Sequence, residues 1–160
     1  MKEMIVVRIS DMKITQGNKE LITYALGSCV GVSFYDPFQQ KGALLHVLLP
    51  QRMDERDSNL MKYADSGVHE TIRQMRQHGF WMDRVVVKIA GGACMFHDTG
   101  KSVLGKIGDR NVESVKRALA REGFRISAED VGGTVARTMS LDVGTGEVKI
   151  RNATGMTKML

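Results

Sequence analysis

The sequence predicts an α+β fold with a largely antiparallel or mixed sheet arrangement and two main helices. Several short stretches are rich in apolar residues that either alternate or run on without a break, as strands do. Two stretches switch to a helical period. Two prolines and 17 glycines in 160 residues leave room for regular elements joined by tight glycine turns. That length suits one domain with a sizeable core, spanning 1–160, with residues 153–160 expected to form a loose tail.

The elements follow in order. "MIVVRI" (4–9) reads as a first strand, followed by a polar turn around "QGNKE" (16–20). "LITYAL" (21–26) is rich in strand formers and ends at Gly27. "CVGVSFYD" (29–36) alternates, placing Val30, Val32 and Phe34 on one face and Cys29, Gly31, Ser33 and Tyr35 on the other. After the turn "PFQQKG" (37–42), "ALLHVLLP" (43–50) is almost continuously apolar, which predicts a strand buried on both faces. A charged loop (51–59) leads into a helix from about Tyr63 to His78, with Val68, Ile72 and Met75 on one stripe and Gly79 as its stop. "RVVVKIA" (84–90) is another buried strand, entering the turn "GGA". A second helix spans about Asn111 to Arg121, with Val112, Val115 and Leu119 inward. The remainder reads as strands separated by a Gly-Gly step and by the hairpin turn "GTG" (144–146).

Composition excludes several classes. No apolar run approaches the ~20 residues that span a bilayer, and the N-terminal apolar stretch is strand-length with no cleavage-type region. A soluble, cytoplasmic protein is expected. The net charge is +5, but Lys and Arg alternate with acids, as in "DRNVESVKRALARE", and only one Trp, three Tyr and five Phe are present. A nucleic-acid footprint is therefore not expected, whereas a mild positive bias suits an acidic protein partner. Cys29 and Cys94 lie 65 positions apart in a chain of reducing type, so no structural disulfide is expected.

Chemistry enters through the hairpin of residues 28–35 and 43–50. Opposed residues in an antiparallel pair keep a constant index sum, and like parity keeps them on one face. A turn centred near 37–39 gives a sum of 75 to 77. A sum of 75 sets Cys29 opposite His46; a sum of 77 makes them diagonal neighbours on one face; a sum of 76 separates them. A cysteine attacks well only as thiolate, and a neighbouring imidazolium lowers its pKa from ~8.5. The imidazole must in turn be held by a third group, and Thr23 on the preceding strand could supply a hydroxyl or a carbonyl. Gly27 would permit a tight backbone that leaves N–H groups near Ser28 and Cys29 aimed at an oxyanion. Spacing alone still favours the plainer alternative, a small buried cysteine and a satisfied core histidine.

Other candidates reduce to structural roles. "GGACMF" (91–96) follows a strand but lacks a P-loop lysine and a third glycine, so a structural turn is expected, with Cys94 a buried small residue and a second reactive thiol the alternative. In "IGDRN" (107–111), Asp109 or Asn111 would cap the second helix. His69, His78 and His97 have no zinc-type spacing with the cysteines, so neither metal nor cofactor is expected.

The ordered set "TYALGSCVGVSFYDP", "GALLHVLLP", "KYADSGV", "KIAGGACMF", "IGDRN", "ISAEDVGGTVAR" and "TGEVKI" resembles the chemoreceptor glutamine deamidases, the CheD family, over nearly the whole chain. The resemblance implies a three-layer α/β/β sandwich. It implies hydrolysis of the side-chain amide of particular receptor glutamines to glutamate with release of ammonia, and an association with hydrolysis of receptor glutamyl methyl esters. It puts the nucleophile on Cys29, the base on His46 and the orienting threonine on Thr23, supported by Gly27 and Ser28. The family's "GG-x-x-G-R" appears as "GGTVAR", with Ala136 in place of a glycine. The implied partners are receptor cytoplasmic helices as substrate, met beside the membrane without insertion, and a CheC-type phosphatase. Stimulating that phosphatase is the alternative role, which would not require Cys29.

Overall fold

A computed structural model describes residues 2–95 and 106–160. Its strands in the first half are β1 (Glu3–Val6), β2 (Asp11–Gln16), β3 (Lys19–Leu26), β4 (Val30–Asp36) and β5 (Lys41–Val47). Helix α1 (Ala64–Gln77) and strand β6 (Val86–Gly91) follow, then α2 (Ile107–Arg121), β7 (Ile126–Val131), β8 (Arg137–Asp142), β9 (Val148–Asn152) and β10 (Thr157–Met159). The strands form two sheets in the orders β1-β3-β8-β9-β10 and β2-β5-β4-β6-β7. Each is antiparallel except for one parallel pair, β1 with β3 and β6 with β7. This is the expected α+β sandwich with mixed sheets and two helices.

Side-chain parity explains the three layers. Val30, Val32 and Phe34 of β4, with Ala43, Leu45 and Val47 of β5, pack against Val68, Ile72 and Met75 of α1 and Val115 and Leu119 of α2. The opposite faces carry Cys29, Tyr35 and Leu44, which meet Leu21, Leu26, Met139 and Leu141 of the other sheet. Strands β4 and β5 are thus covered on both sides, which is why "ALLHV" lacks alternation. The β2-containing sheet is the central layer.

The differences from expectation are local. Strand β2 falls between the predicted elements; it is a polar edge strand with much of its surface exposed, so it has little apolar signal. Strand β1 is shorter than the predicted 4–9, because Ser10 turns into the left-handed region (φ 61). Strand β5 stops at Val47, since the Leu48 and Leu49 N–H groups both donate to Lys62 O, away from the ladder. Helix α2 begins at Ile107 behind Lys106, so Asp109 and Asn111 lie inside the helix and neither caps it. Residues 157–159, read as tail, form an exposed strand on β9. Among the described residues no helix is long and apolar enough to cross a membrane.

Candidate functional site

The segment Thr23–Val30 carries the chain from one sheet to the other. Thr23 pairs with Met139, after which the β3–β8 register slips before Leu26. Within the slip Ala25 takes φ 57, a sparsely populated region for a residue with a side chain. The turn is pinned by three backbone bonds: Gly27 N–H to Ala25 O at 2.9 Å, Ala93 N–H to Gly27 O at 2.8 Å, and Gly92 N–H to Cys29 O at 2.8 Å. The tight conformation expected of Gly27 therefore falls on Ala25. What Gly27 supplies is room, since a Cβ there would meet Met95 Cγ at 3.0 Å.

The hairpin register puts Val30 opposite Val47 and Gly31 opposite His46, an index sum of 77. Cys29 and His46 accordingly share the face toward the other sheet, as diagonal neighbours. Thr23 reaches the same space from β3 in that other sheet. Its hydroxyl lies 2.7 Å from His46 Nδ1 and donates to Val7 O at 2.7 Å. A hydroxyl has one proton, and Val7 O takes it. His46 Nδ1 must therefore be the donor to Thr23 Oγ1, which leaves the lone pair of the neutral ring on Nε2. Nε2 is buried and has no hydrogen-bond partner among the described residues, so no bond to the Cys29 thiol is drawn.

Burial sets the charge state. Thr23 and His46 are 0% exposed, while Cys29 keeps 6%. Desolvation lowers the His46 pKa to about 4. It also raises that of the Cys29 thiol, partly opposed by the residue's own backbone N–H. The resting pair is thus neutral thiol and neutral imidazole, in contrast to the imidazolium-activated thiolate considered from sequence.

A floor of close backbone contacts supports the segment. Gly91 has φ +113, and a Cβ there would lie 2.2 Å from Cys29 O; a Cβ on Gly108 would lie 2.6 Å from both Gly92 O and Ala93 O. The first turn of α2 therefore rests directly on the 91–93 turn. "GGA" is the structural turn expected, and part of "IGDRN" is its counterpart. The buried Arg137 guanidinium binds Gly91 O at 3.2 Å and also the Asp130 and Gly132 carbonyls, locking the "GGTVAR" turn.

Sequence reasoning missed Asn111, which is fully buried and donates through Nδ2 to Ser28 O (2.9 Å) and Leu48 O (3.0 Å). Its place on the inward stripe with Val115 and Ala118 was the available signal, a polar residue at an apolar position. Cys94 is half-buried, with its N–H on Gly133 O at 2.9 Å, and is not joined to Cys29. His69 bonds Glu122 (2.6 Å) and His78 bonds Gln74 O (2.8 Å), both exposed; His97 and Phe96 lie outside the described residues. Among the described residues no group of three or more His, Cys, Asp or Glu is placed to hold a metal.

The class defined so far is an α/β/β sandwich with a Cys, His and Thr cluster where its two sheets meet. The model of a family described as CheD chemotactic sensory transduction matches residues 48–152. A relative from Desulfitobacterium hafniense is 40% identical over 151 residues, covering 94% of each chain. One from Desulforamulus reducens is 40% identical over 157 residues, 98% of this chain and 95% of its own. One from the archaeon Pyrococcus abyssi is 41% identical over 153 residues, 94% and 93% respectively. Each of the three carries the description "probable chemoreceptor glutamine deamidase CheD". This chain belongs to the CheD family.

Proposed function

We propose that this protein is a hydrolase that deamidates glutamine side chains of chemoreceptors in the cytoplasm, with Cys29 as nucleophile, His46 as base and Thr23 as its orienter. The observation that carries this reading is the Thr23–His46 bond at 2.7 Å, which presents a basic Nε2 on the face that Cys29 shares. The relatives' description supplies the substrate class.

Because the resting pair is neutral, His46 acts as a general base during attack rather than by storing a thiolate. The Cys29 proton passes to Nε2 as sulfur bonds to the carboxamide carbon. The carbonyl oxygen, now an oxyanion, is met by N–H groups at Ser28 and Cys29, neither of which has a backbone acceptor among the described residues. The imidazolium returns its proton to the nitrogen, and ammonia leaves. Water, deprotonated by His46, then cleaves the thioester, giving glutamate and the thiol. No cofactor enters any step. A glutamyl methyl ester would follow the same path with methanol as leaving group.

The test is conversion of glutamine to glutamate in a purified receptor cytoplasmic fragment, followed by mass spectrometry. Cys29→Ala and His46→Ala should each abolish it. Persisting conversion in Cys29→Ala would remove the assignment of the nucleophile. Binding to a CheC-type phosphatase is separable, because Cys29→Ala should retain it.

A further inference from the structure

The β4–β5 ladder stops one rung short of the proposed nucleophile. Continuing the register that sets Val30 opposite Val47 would place Cys29 opposite Leu48. That rung would exchange no hydrogen bonds, because Cys29 turns its backbone groups toward β6. Leu48 N–H donates to Lys62 O at 2.9 Å, and Cys29 O accepts from Gly92 N–H at 2.8 Å. Leu48 O accepts from Asn111 Nδ2 at 3.0 Å. Cys29 N–H is left over, with no backbone acceptor among the described residues.

The same Asn111 amide donates to Ser28 O at 2.9 Å. The Ser28–Cys29 peptide is planar and trans, so its C=O and N–H point in opposite directions. Drawing Ser28 O toward α2 turns Cys29 N–H away from α2. The Cys29 side chain also lies on the side away from the helices, with Leu26 and Met139. That N–H opposes the rise that burial imposes on the thiol.

We infer that Asn111 is a positioning residue for the deamidation: by holding Ser28 O toward α2, it keeps the Cys29 N–H turned away from α2 and aimed at the sulfur and the developing oxyanion. The inference rests on the reading of Cys29 as nucleophile. The Asn111 Nδ2 serves two main-chain carbonyls, while its Oδ1 is buried with no partner among the described residues.

The full-length chain and its Asn111→Ala and Asn111→Ser variants test this. The measurements are deamidation kinetics on the receptor fragment, the pH dependence of Cys29 alkylation by iodoacetamide (read by peptide mapping), and thermal midpoint. Asn111→Ala should lower kcat about 10- to 100-fold with KM nearly unchanged, as for a mis-aimed oxyanion donor. Its Cys29 alkylation midpoint should move to higher pH. Asn111→Ser, which keeps one shorter donor, should fall between. Wild-type kcat and an unchanged alkylation profile in Asn111→Ala would overturn the inference, whatever the thermal midpoint does. If neither variant folds, amide exchange of the wild type decides. The Cys29 amide should exchange about 10-fold or more faster than that of Val32, inside the ladder; equal protection would overturn the inference. Should Cys29→Ala still deamidate, the nucleophile reading fails, while alkylation and exchange still report on Asn111.

Discussion

Thr23 has a single hydroxyl proton, and its donation to Val7 O decides which nitrogen of His46 is basic. Thr23→Val keeps the shape but strands Val7 O and the Nδ1 proton in a dry site. Stability should fall by about 1–3 kcal/mol, and kcat by about 10-fold or more as the tautomer is released. Thr23→Ser should restore most of both, with thermal melts and receptor-fragment kinetics as the measurements. The pH dependence follows from the depressed His46 pKa. Unfolded, the ring titrates near 6.5; folded, near 4, so the unfolded chain binds the extra proton between those values. Stability is therefore full above pH 6.5 and is lost as pH falls toward 4, by roughly 3 kcal/mol at 1.36 kcal/mol per pKa unit. Denaturant melts from pH 7 to 4 should show this slope, and His46→Gln should flatten it. At this scale the proposed catalytic residues Cys29, His46 and Thr23 could be picked out by type and spacing. Their charge states could not, because desolvation depends on neighbours supplied by the other sheet.

Among the elements, α2 joins the helical layer to the candidate site. Its first turn sits on the 91–93 backbone, with Gly108 at the closest approach. Gly108→Ala would place a methyl 2.6 Å from two carbonyl oxygens, so the helix must shift. A loss of about 1–3 kcal/mol is expected. If the shift carries Asn111 off Ser28 O, deamidation should fall more than a stability loss alone would cause. Comparing residual activity well below the thermal midpoint separates the two effects. The helices and the inner strands were legible because their apolar stripes and runs are strong. Edge strand β2 was not, because a polar ribbon becomes a strand only through its pairing with β5. The start of α2 was misplaced for a related reason. Asn111 looks like a cap by type, but its amide is satisfied by carbonyls at positions 28 and 48, far away in sequence.

Across the whole molecule, stability depends on two cores that share the central sheet, one facing the helices and one facing the other sheet. Leu141 is fully buried in the second core. Leu141→Ala should cost about 2–5 kcal/mol, measured by chemical denaturation. Because Leu141 makes no hydrogen bond to Thr23 or His46, the pH slope of stability should persist. The cluster sits where β3 leaves one sheet and β4 enters the other, so Thr23 and Cys29 are six positions apart in sequence yet belong to different layers.

By itself the sequence determined the α+β class, the alternation that gives β4 two distinct faces, the both-face burial of the "ALLHV" strand, and family membership through its ordered motifs. Those features are local, fixed by side-chain period and by glycine and turn chemistry within a few residues. Only the tertiary structure decided the register sum of 77, the placement of Thr23 across the sheet interface, the neutral thiol–imidazole pair and the inward role of Asn111. Each of these depends on contacts between residues distant in the chain, and neither periodicity nor residue type encodes which distant group will arrive.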